Sequence, residues 1–225
     1  MNITVVWTLA HEELAQQAPC TLWGGTDERK AKMAARSRGE VGWGEEKMLE
    51  GNRVGILVEE GFEDSELVEI ARAMSDSGAV VVTIGSGSSA SYRGLRGKAR
   101  AKVDSTAGDV RAGQLDALVI PGGYAADKMR LHQSMVDLVR GVHDSGKVVA
   151  AISHGPQLLI SAEVVKGRRV TSWPSIAIDL ANAGAMWVDE PVVQDRNLIT
   201  AAKPADLPRF NKAVIDALRK KLVRA

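Results

Sequence analysis

The chain has 225 residues, 45% of them hydrophobic, a length that suits one folded domain with an appended segment better than two domains. Its 29 Lys and Arg residues nearly balance its 28 Asp and Glu residues, so no overall field draws it to nucleic acid or to a membrane surface. The single cysteine, Cys20, excludes an intrachain disulfide framework and a thiolate metal cluster, and suits a reducing compartment. We therefore expect a cytoplasmic protein.

The first part of the chain, residues 1–47, shows no sustained period of either 2 or 3.6. We predict that it is an N-terminal extension, either a flexible tail or not native, with a partner-binding arm as the alternative. Its apolar beginning follows no positive charge, which makes a poor signal peptide. No stretch of the chain approaches the roughly 18–20 apolar residues that a transmembrane helix needs. A folded domain is expected from Met48, over residues 48–225.

In this domain, short apolar runs alternate with helical patterns. Runs that are apolar throughout predict buried strands at residues 54–58, 80–84, 117–120 and 148–152. Helices with one buried stripe are predicted between them, and the stripes are Leu67, Ile70, Ala71 and Met74, then Met135, Leu138, Val139 and Val142. A last helix is expected from about Pro204. The alternation predicts an α/β fold with a doubly wound, mostly parallel sheet.

Three other patterns bear on cofactors, metals and nucleic acid. Gly85 to Gly87 follows a strand as a dinucleotide fingerprint does, but no helical pattern comes next, so we expect no cofactor. The histidines show no metal-ligand spacing, so we expect no metal. One segment alternates cations with small residues, which predicts a charged edge strand, with anion or nucleic-acid binding as the less favoured alternative: Arg96, Lys98, Arg100 and Lys102.

The strand predicted at residues 148–152 ends in the segment of most chemical interest. It runs into Ser153, His154 and Gly155 and then into a helical pattern, which is the order of a nucleophile elbow. Small residues at Ala151 and Gly155 allow a tight turn, and the helix N-terminus favours negative charge on an attacking oxygen. The alternative is that Ser153 simply caps the helix, a role for which serine is well suited.

Two other strand ends would meet the elbow at the same edge of the sheet. Gly122 and Gly123 offer backbone NH groups unobstructed by a Cβ, as an oxyanion hole requires, although an ordinary tight turn needs the same residues. Glu63 could act there as an acid or base, or it could serve only as a dipole-matched helix cap. The sequence pattern leaves both pairs of alternatives open.

Together these segments resemble the PfpI family of intracellular cysteine hydrolases: residues 61–66 (GFEDSE), 116–123 (DALVIPGG) and 152–157 (ISHGPQ). Further agreement lies at residues 166–169 (KGRR), 182–185 (NAGA) and 204–208 (PADLP). The similarity runs from about Met48 to Leu218. It implies a flavodoxin-like sheet of the class I glutamine amidotransferase type and an enzyme that acts on peptides or on reactive carbonyl adducts.

The resemblance assigns catalytic roles to named positions and also exposes a departure. Ser153 stands where the family has its nucleophilic cysteine, His154 follows it, and Glu63 is expected to contact it. A thiol is readily tuned to a thiolate, whereas a serine hydroxyl needs a base. Three explanations of the serine stay open. It could be an engineered replacement that silences the enzyme, it could be the nucleophile of a natural serine hydrolase, or it could mark a natural loss of activity. Ala201-Ala202, where relatives commonly carry Ser-Arg, favours natural divergence.

The resemblance also implies the surroundings of the nucleophile. The backbone NH groups of Gly123 and His154 would form the oxyanion hole, and Trp173 and Tyr124 would line the substrate pocket. Asp127 of a neighbouring subunit would orient the histidine, so a homodimer or hexamer is expected. A non-catalytic stress-response or chaperone-like oligomer is the alternative function.

Overall fold

The computed structural model describes residues 48–222, and the extension predicted over residues 1–47 lies outside them. The strands are β1 (Arg53–Val58), β2 (Val80–Gly85), β3 (Ser91–Arg93), β4 (Arg100–Lys102), β5 (Ser105–Thr106), β6 (Ala117–Ile120), β7 (Val148–Ile152), β8 (Arg169–Val170), β9 (Met186–Trp187), β10 (Val192–Asp195) and β11 (Leu198–Ala201). The helices are α1 (Asp64–Asp76), α2 (Ala125–Met129), α3 (Gln133–Asp144), α4 (Pro156–Ser161), α5 (Ala177–Asn182) and α6 (Leu207–Leu222). Single 3-10 turns lie at Ala112–Gln114, Pro174–Ile176 and Pro204–Asp206.

The main sheet has seven strands in the order β10-β11-β7-β6-β1-β2-β5. Neighbouring strands run parallel except β10 and β11, which pair antiparallel. The chain moves from β1 outward to β2 and β5, and then returns to the other side of β1 as β6. This reversal of direction makes a crevice at the carboxyl ends of the central strands, where ligands bind in open α/β sheets. The predicted fold class is confirmed.

Helices cover both faces of the sheet and explain the apolar runs. β6, β7 and β11 are buried throughout, and β1 is buried after its first residue. α6 packs against β7, β11 and α1, whereas α3 packs against β6, β7 and α4. All four predicted strands are present. β6 and β7 have the predicted bounds, and β1 and β2 are one residue longer.

The predicted helices form with their apolar stripes inward. Leu67, Ile70 and Met74 of α1 are buried, as is the whole predicted stripe of α3. Each large aliphatic side chain buried in this way stabilises the fold by roughly 1.5–3 kcal/mol. The last helix begins slightly later than predicted, because a 3-10 turn at Pro204–Asp206 precedes α6. Among the described residues, no helix is long and apolar enough to cross a membrane.

A hairpin, β3 to β4, replaces the single strand that was predicted to carry four cations. β4 has one cation on each side of the buried Ala101, but the other two cations lie in the turn: Arg100 and Lys102 in β4, Arg96 and Lys98 in the turn. The turn forms because the backbone NH groups of Arg96 and Ala99 donate to the buried carboxylate of Asp64, at 2.8 and 2.6 Å. The hairpin is thereby fastened to the first residue of α1.

Candidate active site

Ser153 follows β7 directly and has a backbone conformation that non-glycine residues rarely adopt, with φ +58°. The N-cap of α4 is Gly155, and the helix begins at Pro156. Ser153 is therefore not the helix cap, and that alternative is wrong. A strand, a single strained residue and a helix in succession form the geometry of a nucleophile elbow. Such a residue costs of order 1–3 kcal/mol and persists only where its surroundings hold it.

Backbone hydrogen bonds hold the elbow on both sides. The NH of Ser153 donates to the carbonyl of Ala201 at 3.0 Å, and the carbonyl of Ser153 accepts from the NH of Trp173 at 3.0 Å. Gly155 approaches β6 so closely that a Cβ there would collide with the carbonyl oxygen of Ile120. The turn is thus fixed by the three chain segments around it, which keeps the Ser153 side chain at the end of the sheet.

The carboxyl group beside Ser153 belongs to Glu66. The NH of Gly122 donates to Oε2 of Glu66 at 2.6 Å, and the Glu66 residue is fully buried. A Cβ built on Gly122 would lie 2.9 Å from Cβ of Ser153 and 3.1 Å from Oε2 of Glu66. Because Gly122 has no side chain, it leaves room for the side chains of Ser153 and Glu66 next to it.

Glu63, the glutamate expected to contact the nucleophile, has other partners in the structure, and its catalytic role stays a prediction. Glu63 is the N-cap residue of α1, and its carboxylate accepts hydrogen bonds from Arg96 at 3.3 Å and from Ser65 at 3.5 Å. Glu66 comes one helical turn later and lies four residues before the buried Ile70, so it points inward with the apolar stripe. The sequence carried this signal, but the resemblance alone did not distinguish the two glutamates.

The environment of Glu66 raises the pKa of its carboxyl group to about 7. Burial is the largest cause, and the negative charge of Glu63 adds to it. The hydrogen bond from Gly122 and the nearby Ser153 hydroxyl act in the opposite direction. Oε1 of Glu66 is buried and accepts no hydrogen bond from the rest of the described chain. Near neutral pH this group can therefore either donate or accept a proton.

The imidazole of His154 is held on three sides. Nδ1 lies 3.4 Å from Oγ of Ser153, and Nε2 lies 3.3 Å from Oγ of Ser175. The ring stacks on Trp173, with centroids 6.0 Å apart and planes inclined by 27°. Burial lowers the pKa of His154 from its ordinary value of 6.5, so the ring is neutral near pH 7. A neutral imidazole next to a hydroxyl is suited to act as a general base.

The glycine turn after β6 meets the requirements of an oxyanion hole. Gly123 has φ +80°, and a Cβ there would lie 2.5 Å from the carbonyl oxygen of Gly61, so only glycine fits. Within residues 48–222, the NH groups of Gly123 and His154 have no hydrogen-bond acceptor. Both therefore stay available to an oxygen that develops negative charge beside Ser153.

The other predicted residues differ in how close they lie to this cluster. Trp173 contacts His154 directly and is 39% exposed, whereas Tyr124 is 69% exposed on the turn after Gly123. Asp127 is exposed in the first turn of α2, and its predicted role in a neighbouring subunit stays a prediction. Sequence reasoning missed Ser175 as well as Glu66. Nothing in the local pattern indicates that Ser175 lies beside His154.

The chain is similar to several known proteins. The chain is 39% identical to "Protein/nucleic acid deglycase 2" of Escherichia coli over 74% of its own length and 97% of that protein. It is 38% identical to "General stress protein 18" of Bacillus subtilis, over 76% of this chain and 99% of that one. The crystal structure of a two-domain protein of Anabaena variabilis, with DJ-1/ThiJ/PfpI-like and ferritin-like domains, superposes with a TM-score of 0.73 at 40% identity. That match covers 74% of this chain and 48% of the larger one.

Residues 52–217 match the DJ-1/PfpI family, and the match includes β1, the glycine turn and the elbow. With relatives matched along almost their whole length, the chain belongs to the DJ-1/PfpI family.

Proposed function

We propose that this protein is a hydrolase that attacks the carbonyl carbon of peptides or of reactive carbonyl adducts through the side chain at position 153. One observation carries the proposal: the strained elbow holds the Ser153 hydroxyl beside a neutral imidazole and a carboxyl group with a pKa of about 7. Strained backbone is often found at active sites, where the surrounding structure holds it in place. The relative named as a deglycase supports the carbonyl-adduct class.

In the first step, Oγ of Ser153 bonds to the carbonyl carbon while its proton passes to Nδ1 of His154. The electron pair of the carbonyl π bond moves to oxygen, where the NH groups of Gly123 and His154 donate to it. With a peptide, the tetrahedral intermediate then collapses: the carbonyl double bond re-forms, the bond to the leaving nitrogen breaks, and His154 gives the proton to that nitrogen. Water hydrolyses the resulting ester by the same route and restores the hydroxyl.

A serine in this position needs a base, and the site offers two. Nδ1 of His154 lies 3.4 Å from the hydroxyl, and the carboxyl group of Glu66 also interacts with it. General-base assistance contributes typically 10²–10⁴-fold to a rate. We assign that role to His154, and we assign to Glu66 the protonation of polar groups on the bound substrate, because Oε1 of Glu66 has no other described partner.

Ser153→Cys and Ser153→Ala, each compared with the unchanged protein, test the proposal in peptidase and glyoxalase assays. We expect measurable turnover with serine, faster turnover with cysteine and none with alanine, because the thiol is the better nucleophile in the same setting. Activity in the cysteine form alone would overturn the serine mechanism. Inactivity of both forms would overturn the enzymatic proposal as a whole.

The second candidate function is a non-catalytic stress-response or chaperone-like role. The serine at the nucleophile position and the relative named "General stress protein 18" favour it. A protein of this kind would suppress aggregation of an unfolding client equally well with Ser153→Ala. A light-scattering assay with a heat-denatured client therefore separates the two functions, since only the enzyme depends on the hydroxyl.

A further inference from the structure

We propose that Ser175 is a positioning residue of this site, whose hydroxyl oxygen accepts a hydrogen bond from Nε2–H of His154 and so keeps the lone pair of Nδ1 facing Ser153. This inference rests on the proposed function for its catalytic meaning. Its structural part, the tautomer of His154, does not depend on turnover.

Each ring nitrogen of His154 faces a serine hydroxyl. Nδ1 of His154 lies 3.4 Å from Oγ of Ser153, and Nε2 lies 3.3 Å from Oγ of Ser175. Trp173 stacks on the ring and limits its rotation. Because His154 directly follows Ser153 in the chain, Nδ1, the nitrogen nearer the backbone, is the one that reaches the hydroxyl. The three side chains form a line from Ser153 through His154 to Ser175.

A neutral imidazole has one NH and one lone pair, and the hydrogen bond at one nitrogen decides which nitrogen carries the proton. Ser175 can accept from Nε2–H through its hydroxyl oxygen. For attack, the side chain at position 153 must give its proton to Nδ1, so the reactive tautomer carries its own proton on Nε2, where the Ser175 oxygen can accept a hydrogen bond from it. The opposite tautomer would present an NH to the hydroxyl and could not take its proton. In our proposal Ser175 therefore stabilises the reactive tautomer of His154.

Ser175 supplies this contact from within one chain, where the resemblance assigns the role to Asp127 of a second copy. Nε2 carries only one proton, so the two partners compete for it. A hydroxyl differs from a carboxylate in bearing no charge, and it does not stabilise the imidazolium electrostatically. A histidine oriented by serine stays neutral to lower pH than one oriented by a carboxylate.

The tautomer of His154 is measurable in the 15N-labelled protein by two-bond proton–nitrogen correlation of the imidazole. At neutral pH we expect mainly the Nε2–H form in the unchanged protein and in Ser175→Thr, which keeps a hydroxyl. Ser175→Ala should move the population toward Nδ1–H, and Asp127→Asn should leave it unchanged. An unaltered spectrum in Ser175→Ala would overturn the proposal, as would a shift caused by Asp127→Asn. Both results remain readable if the protein proves to have no turnover.

Activity gives a second readout. Ser175→Ala should lower kcat roughly 10-fold with KM nearly unchanged, far less than the roughly 10⁴-fold effect of a wrong tautomer in a triad with a carboxylate. Ser175→Asp should move the acid limb of the pH–rate profile to higher pH, because a carboxylate raises the pKa of the imidazole. Ser89→Ala is the matched control, since among the described residues that hydroxyl bonds only to the backbone of Ser91. A profile unmoved by Ser175→Asp would contradict the proposal.

Discussion

The NH of Gly122 donates to Oε2 of Glu66 at 2.6 Å, and this bond joins the end of β6 to the first turn of α1 directly beside Ser153. It is formed by a fully buried carboxyl group, so it links the protonation of Glu66 to the stability of the whole fold.

Glu66→Gln should remove a pH-dependent loss of stability. The pKa of Glu66 rises from 4.5 to about 7 on folding, so the folded state holds this proton more tightly than the unfolded state. The contribution of this raised pKa to the free energy of unfolding is therefore fully present below about pH 4.5. It is lost as the pH rises through about 7, by about 3 kcal/mol in all. Urea unfolding at pH 4.5 and pH 8 should show this extra loss in the unchanged protein and not in the variant. Parallel losses in both proteins would contradict the raised pKa.

Glu66→Gln and Glu63→Gln should differ sharply in activity. We expect kcat/KM to fall at least about 100-fold in Glu66→Gln, because the group beside the nucleophile can no longer exchange a proton. Glu63→Gln should stay within about 3-fold, since its bond with the exposed Arg96 is a rim ion pair. It should also move the limb of the pH profile that Glu66 controls to lower pH, because one source of the raised pKa is gone. Equal losses in both variants would return Glu63 to the role first predicted for it.

The difference between these two glutamates shows what the sequence could predict. The four central strands were predictable because helices cover both faces of the sheet, and this leaves continuous apolar runs. The elbow was predictable because its spacing is local. Glu66 was missed because the motif gives no weight to helical periodicity. In α1, that periodicity places Glu66 one turn before the buried Ile70 and so on the buried face of the helix. Ser175 was missed because only the tertiary fold brings it to His154.

The hairpin gives a second case of a pattern that local reasoning could not resolve. Alternation from Arg96 onward predicts a strand, but the carboxylate of Asp64 captures two amides of the segment and bends it into a turn. Asp64 lies more than 30 positions earlier in the chain, so no local window contains both partners. A tertiary hydrogen bond thus outweighed the strand propensity of the segment.

Gly122→Ala should damage the site without touching any of its side chains chemically. The new Cβ would lie 2.9 Å from Cβ of Ser153 and 2.9 Å from the backbone nitrogen of His154, so the elbow has to move. We expect a loss of about 1–3 kcal/mol in the free energy of unfolding, as for other overpacked positions, together with loss of activity. Gly113→Ala is the control, because a methyl group added there would meet nothing within 4 Å. Equal stability of both variants in urea would contradict the close packing at Gly122.

Ser153→Gly should be more stable than Ser153→Ala while both lack the hydroxyl. At φ +58° an alanine keeps the strain of a side chain in the left-handed region, whereas glycine adopts that conformation without it. We expect glycine to exceed alanine by about 1 kcal/mol in the free energy of unfolding, after its larger loss of backbone entropy is included. Urea unfolding at one pH measures the difference, and Glu163, which also has positive φ at +61°, provides the control pair Glu163→Gly and Glu163→Ala. A clear stability advantage of alanine at position 153 would mean that the elbow relaxes and that no strain is maintained there for catalysis.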